Sequence, residues 1–223
     1  MAGQTRRHSE GSSGCRSAPM CPFNGNILTQ DGYQIREIKT IGILLAAGKS
    51  CRFGPENKLL ESFNGRPLCI HAAEAMSDAG LSKCVSVVSD SAVAALLPGF
   101  ELVRCSGSQS DSLKAGVQTA IALDADQIVV CLADMPFVTA QLIRNLLALA
   151  KTHPICASRW GDRISPPAVL PRARFDDLLK LEGDRGAFSL FKKQRETSFL
   201  RVEENVLTDL DTISDFLTFG ENL

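Results

Sequence analysis

Ile41-Gly42-Ile43-Leu44-Leu45-Ala46-Ala47-Gly48-Lys49-Ser50 is the stretch on which the rest of the chain turns. Ile41–Ala46 carries no charge and is rich in branched side chains, so it reads as a strand buried on both faces. The chain then enters a loop, Ala46–Lys58, that holds two glycines and the cations Lys49, Arg52 and Lys58. Small residues let backbone N–H groups approach an anion closely, and the cations add charge. A polyphosphate needs both. The residues by themselves suit a phosphate-binding loop and a plain Gly-rich turn about equally.

Two familiar phosphate-binding patterns are excluded. Gly48-Lys49-Ser50 resembles the end of a P-loop, but that motif requires a Gly at position 43, which is Ile. Gly48 and Gly54 are too far apart for a dinucleotide-binding Gly-x-Gly-x-x-Gly turn.

Outward from this point, strands alternate with helices. Pro67–Ala79 has helical spacing and meets a stop at Gly80. Cys84–Ser89 predicts a strand, Ser91–Leu97 a short helix and Glu101–Arg104 a short strand. Ser112–Leu123 predicts a helix, Gln127–Leu132 a buried strand, and Thr139–Lys151 a helix with Thr139 as its N-cap. Ile155–Ser158 and Ser198–Val202 predict strands, and Arg174–Leu181 and Ala187–Lys193 short helices. This order implies a Rossmann-like three-layer α/β/α domain with a mainly parallel sheet. Ligands in such sheets bind at the carboxyl ends of the strands, so chemistry is expected after Ala46 and after Leu132. Residues 1–38, with Gly11-Ser12-Ser13-Gly14, bury little and read as a disordered N-terminal extension. That leaves 39–223 as the domain.

The net charge of −1 offers no field for nucleic acid or an anionic membrane, and no apolar run approaches a membrane span. The eight cysteines are irregularly spaced without a Cys-x-x-Cys pair. Several, such as Cys131, sit in apolar strand-like runs as small core residues, and a reducing, cytoplasmic setting is expected. With three histidines, zinc is not expected.

Leu45 to Leu60 follows the pattern Leu-Ala-Ala-Gly-x-Ser-x-Arg-Phe-Gly-x-x-x-Lys-Leu-Leu. It resembles the signature of the molybdenum-cofactor nucleotidyltransferases, which have a glycosyltransferase-A-like nucleotidyltransferase fold. Ala133-Asp134-Met135-Pro136, Gly183-Asp184-Arg185-Gly186-Ala187 and Asp209-Leu210-Asp211-Thr212 are similar to three further family segments. The resemblance spans roughly Ile41 to Phe216. Departures are Ser165 before Pro166, Phe188 where the family commonly has Arg, the position of Gly107, and Ile213 where Pro usually follows. Three of these four fall in the acceptor half.

The resemblance implies an enzyme that transfers a nucleotidyl group with Mg²⁺. Ala47 makes the loop most like the cytidylyltransferase branch, which implies CTP as donor and a molybdopterin-type acceptor. GTP, or another phosphorylated acceptor, is the alternative. A non-catalytic protein that binds the cofactor and delivers it to a molybdoenzyme, or to that enzyme's maturation factor, is the alternative of another class. The resemblance makes Arg52, Lys58 and Asp134 the catalytic candidates. Ala46, Ala47, Gly48, Ser50, Arg52, Gly54, Lys58 and Ser112 would hold the nucleotide. Ser112 serves equally well as the cap of the helix expected to begin there. Asp184 and Gly186 would line the acceptor pocket. Asp134 would be the main metal ligand, with Asp209 or Asp211 as a second carboxylate. Trp160 reads as packing.

Overall fold

The computed structural model of the chain describes residues 1, 26–28, 34–48, 53, 56–183 and 197–220. Contacts divide the chain into two units, Met1–Glu37 and Ile38–Leu223. The described residues of the first include an antiparallel hairpin, β1 (Asn26–Leu28) against β2 (Gln34–Arg36).

The second unit is built on β3 (Thr40–Ala46), in which Ile41, Ile43 and Leu44 are wholly buried. A small hairpin follows, β4 (Ser62–Phe63) and β5 (Arg66–Pro67), then helix α1 (Leu68–Ser77), with Gly80 beyond its end at φ 79°. Next come β6 (Lys83–Val88), α2 (Ser91–Ala95), β7 (Glu101–Arg104), α3 (Gln109–Ala122) and β8 (Gln127–Leu132). Then follow α4 (Ala140–Ala150), β9 (Ile155–Trp160), β10 (Arg163–Pro171), α5 (Phe175–Leu179), β11 (Thr197–Arg201) and α6 (Ile213–Phe219). Thr139 caps α4, its side chain accepting from the Leu142 N–H.

Seven strands form one sheet in the order β11-β9-β10-β8-β3-β6-β7, and every pairing is parallel except the two made by β10. Successive residues of a strand face opposite sides, and the two sides have separate cores. Leu44, Val129, Cys131 and Cys156 pack with α1, α2 and α4; Ile41, Ile43, Val130 and Ala157 pack with α3 and α5. This is the three-layer, mainly parallel sheet expected from the alternation of elements. Cys69, Cys84, Cys131 and Cys156 are buried as free thiols, and burial pushes Cys84 up to about 11.

Three elements depart from expectation. β10 went unread because Pro166 and Pro167 cannot donate to a ladder. The sheet accommodates them where the register between β9 and β10 shifts, between Ser165 and Ala168. Helix α3 starts earlier than Ser112: Ser108 is its N-cap, in a reciprocal capping box with Asp111. Ser112 is therefore inside the helix and is not its cap. Helix α6 was not anticipated, although Thr212 and Asp215 form a capping box of the same kind. The expected helix Ala187–Lys193 lies outside the described residues.

Gly116 sets how closely α3 lies on the sheet. A Cβ built there would stand 2.6 Å from Ile43 Cγ2. Gly116→Ala must push the helix off β3, at an expected cost of about 1–3 kcal/mol for overpacking. A lower Tm in thermal unfolding checks this; an unchanged Tm would show that the layer has slack.

Candidate active site

β3 passes out of the sheet on the side of β6, and the chain later returns on the other side of β3 as β8. The carboxyl ends of these two neighbours therefore bound a crevice, the usual ligand position in an open α/β sheet. A cleft of about 680 Å³ lies there. Ala46, Ala47, Gly48 and Lys58 line it from the first loop, Asp134 from the segment after β8, and Ser112 from α3.

Lys58 is the pivot of the cleft. It opens a single 3-10 turn, Lys58–Leu60, capped by Asn57, whose side chain accepts from the Leu59 N–H at 3.1 Å. Asn57 Nδ2 donates in turn to Asp90 Oδ2 at 2.9 Å, and Asp90 caps α2. The backbone of Lys58 is thus tied to a helix end. Its side chain is 9% exposed, and Nζ donates to Asp134 Oδ2 at 2.6 Å and to a carboxylate oxygen of Asp211. Burial draws the Lys58 pKa down, but Asp134 and Asp211 outweigh it and leave it raised above its ordinary 10.5. The ammonium is charged throughout the neutral range; on the lysine side the bridge is lost as pH rises through that raised value, and on the carboxylate side as pH falls and Asp134 takes up a proton.

Each carboxylate has its own support. The carbonyl of Asp134 accepts from the Leu210 N–H at 3.0 Å, which ties the segment after β8 to the segment before α6. The N–H groups of Asp211 and Thr212 donate to Asp215 Oδ2 at 2.9 and 2.7 Å, so the start of α6 orients Asp211. Aromatic contacts hold α6 itself. Phe216 meets Phe53 of the first loop at 5.1 Å between centroids and Phe63 at 5.9 Å.

The charges do not balance locally. Burial pushes the Asp134 carboxyl up; Lys58 pulls it back, while Asp209 and Asp211 push it up again. Asp134 Oδ1 is buried with no hydrogen-bond partner among the described residues. An acceptor oxygen in that state fits a hard cation, which takes few protein carboxylates when phosphate oxygens complete its shell. Asp209 is engaged elsewhere, paired with Arg163 Nη2 at 2.6 Å. Among the described residues no three His, Cys, Asp or Glu side chains are gathered as a ready-made metal site.

The cleft also has a wall the sequence reading missed. Ser106, Gly107, Ser108 and Gln109 line it at the N-terminus of α3. The clue was the spacing Ser108-x-x-Asp111, with Gly107 ahead of it: a Cβ at Gly107 would meet Asp111 Cβ at 2.7 Å. Ser112 Oγ donates to the Ser108 carbonyl at 3.2 Å, so that hydroxyl is already engaged in the helix. Ser50, Arg52, Gly54, Asp184 and Gly186 lie outside the described residues, as do Lys49 and Cys51.

Comparison with known proteins agrees with this architecture. The model of the MobA-like NTP transferase domain matches residues 42–198. A "Probable molybdenum cofactor guanylyltransferase" of Thermococcus sibiricus is 31% identical over 73% of this chain and 85% of its own length. The "Purine catabolism protein PucB" of Bacillus subtilis is 30% identical over 79% of this chain and 93% of its own. Among solved structures, a nucleotidyl transferase from a Methanothermobacter species superposes with a TM-score of 0.72 at 20% identity, covering 82% of this chain and 96% of that one. Among the described residues no helix is long and apolar enough to cross a membrane.

Lys58→Met leaves the Asp134 and Asp211 carboxylates together without the cation they share. A loss of about 3 kcal/mol is expected for breaking such a largely buried pair. The loss shrinks as pH falls, because protonating Asp134 removes the repulsion, and adding Asp211→Asn recovers part of it. Denaturant unfolding at two pH values measures both effects. A single variant as stable as the parent would show that Lys58 does not hold the loops together.

Proposed function

The chain belongs to the MobA-like NTP transferase family and is a nucleotidyltransferase, and on that premise we propose that it transfers the nucleotidyl group of GTP to a molybdopterin-type acceptor, releasing pyrophosphate. The observation that carries this is the Lys58–Asp134–Asp211 cluster in the cleft where β3 and β8 end. The catalytic cations and carboxylates of this chemistry are needed at such a place, between a loop of small residues and the end of a strand.

In the reaction an oxygen of the acceptor phosphate attacks the α-phosphorus, the bond from that phosphorus to the bridging oxygen breaks, and pyrophosphate leaves with the electron pair. Both reactants are anions, so most of the catalytic work is alignment and offsetting charge. The loop Ala46–Gly48 presents small side chains that let the triphosphate close on the backbone. Lys58, in the wall of the cleft, places a fixed positive charge beside the phosphates. The segment Ser106–Gln109 also lines the cleft and would meet the nucleotide at the positive end of α3. Asp134, with Asp209 or Asp211 as a second carboxylate, would hold Mg²⁺, which when bound neutralises phosphate charge. Arg52 acts from the same loop in this reading.

GTP is placed first because the relative from Thermococcus sibiricus is named for guanylyl transfer. A second reading, CTP, rests on Ala47, a residue that lines the cleft and makes the loop most like the cytidylyltransferase branch.

Pyrophosphate release from each of the four ribonucleoside triphosphates, with and without molybdopterin in Mg²⁺, separates these readings. Acceptor-dependent release with GTP is expected. Preference for CTP would establish the second reading, and no acceptor-dependent release with either would overturn both. Asp134→Asn should lower turnover on the order of 100-fold or more while the protein still melts cooperatively. Near-normal turnover in that variant would remove Asp134 from the chemistry.

A further inference from the structure

The hairpin β9–β10 ends beside this cluster, and the reaction as described makes no use of it. β10 runs antiparallel to both β8 and β9, so β9 points the same way as β8. The carboxyl end of β9 therefore lies on the edge of the sheet that carries the cleft. The turn Gly161–Asp162 projects from that edge, with Gly161 at φ 55°.

Trp160 and Arg163 are direct partners across this hairpin. Residues directly opposite in an antiparallel pair place their side chains on the same face. Arg163 identifies that face, since its Nη2 reaches Asp209, two positions before Asp211, the partner of Lys58. Trp160 is 43% exposed, although Ile155–Ala157 earlier in the same strand is buried. Read as a packing residue, Trp160 instead ends the strand with a large part of its surface exposed.

We propose that Trp160 and Arg163 form the acceptor platform, the indole stacking on a planar heterocycle of the pterin class and the guanidinium receiving that molecule's phosphate. This rests on the proposed function and adds to it the residues that recognise the second substrate. A half-exposed indole offers a flat apolar surface to a planar ring. The Arg163–Asp209 pair is solvent-exposed, 48% and 39% for the two side chains, and such pairs hold only weakly. A phosphate with its fork of oxygens can replace Asp209 on Arg163. Arg159 does not compete. It lies one residue before Trp160 and so on the other face, over the Phe199 ring at 5.3 Å, and its Nε donates to the Gly161 carbonyl at 2.6 Å. It stiffens the turn that presents the platform.

Steady-state kinetics with molybdopterin tests this in the full chain. Trp160→Ala should raise the acceptor KM on the order of 10-fold, leave the triphosphate KM unchanged, and be largely rescued by Trp160→Phe. Arg163→Gln should raise the acceptor KM as well. Trp160 is the one tryptophan in the chain, so its emission reports on this site alone. Neopterin monophosphate should quench it saturably, and GTP alone should not. Wild-type turnover of molybdopterin with an unchanged acceptor KM in Trp160→Ala overturns this inference and leaves the proposed function standing. Equal rises in both KM values would make Trp160 a merely structural residue and overturn it too. A wild-type protein that turns over no molybdopterin overturns the functional reading and this one with it.

Discussion

One ammonium group joins three separate parts of the chain. Lys58 comes from the loop after β3, Asp134 from the segment after β8, and Asp211 from the approach to α6. Lys58 sits in a turn tied to the end of α2, whereas the other two segments lie outside strand and helix. The sheet brings the first two close because β3 and β8 are hydrogen-bonded neighbours. It has no such hold on the third. Asp211 is held by the Lys58 bridge, the Leu210 bond to Asp134 and the capping box of α6. The placing of Asp211 at the cluster depends on that short set of polar contacts.

The same contacts show why structural and chemical demands coincide. Three carboxylates, Asp134, Asp209 and Asp211, meet around Lys58 and Arg163. The deepest, Asp134, keeps an oxygen without a protein donor. A site used only for stability would be better served by apolar side chains of similar size. In the proposed reaction, surplus negative charge beside the cleft would be met by a cation arriving with the polyphosphate.

Much of this was legible in the residues. The uncharged branched run Ile41–Ala46 gave away the central strand, and the alternation after it gave the layers, because burial on two faces leaves a strong compositional trace. Lys58 and Asp134 were singled out by a family resemblance, and the structure brings their side chains together. What escaped was what depends on distant partners. The strand β10 was hidden by two prolines that only a register shift explains. Ser106–Gln109 has no apolar pattern and enters the site through its capping geometry. The pairing of Asp209 with Arg163 rather than with Lys58 could not be read from the spacing Asp209-x-Asp211, since nothing local says which of two neighbouring carboxylates turns inward. Trp160 was read as packing because an aromatic residue in a strand gives no local sign of how exposed the strand's end is.

The long reach of the Lys58–Asp211 bridge bears on how the protein comes to exist. The two residues are 153 positions apart. A ribosome must therefore add all of that chain after Lys58 before the bridge can close. The strand β3 and its loop emerge early, with the buried cation still lacking both of its counter-charges. Asp134 can join it midway, once β8 has docked beside β3. The last carboxylate arrives only when the rest of the sheet has been made. A nascent chain thus carries the first parts of the cleft long before it carries a finished one, and the cluster closes only after Asp211 has been made.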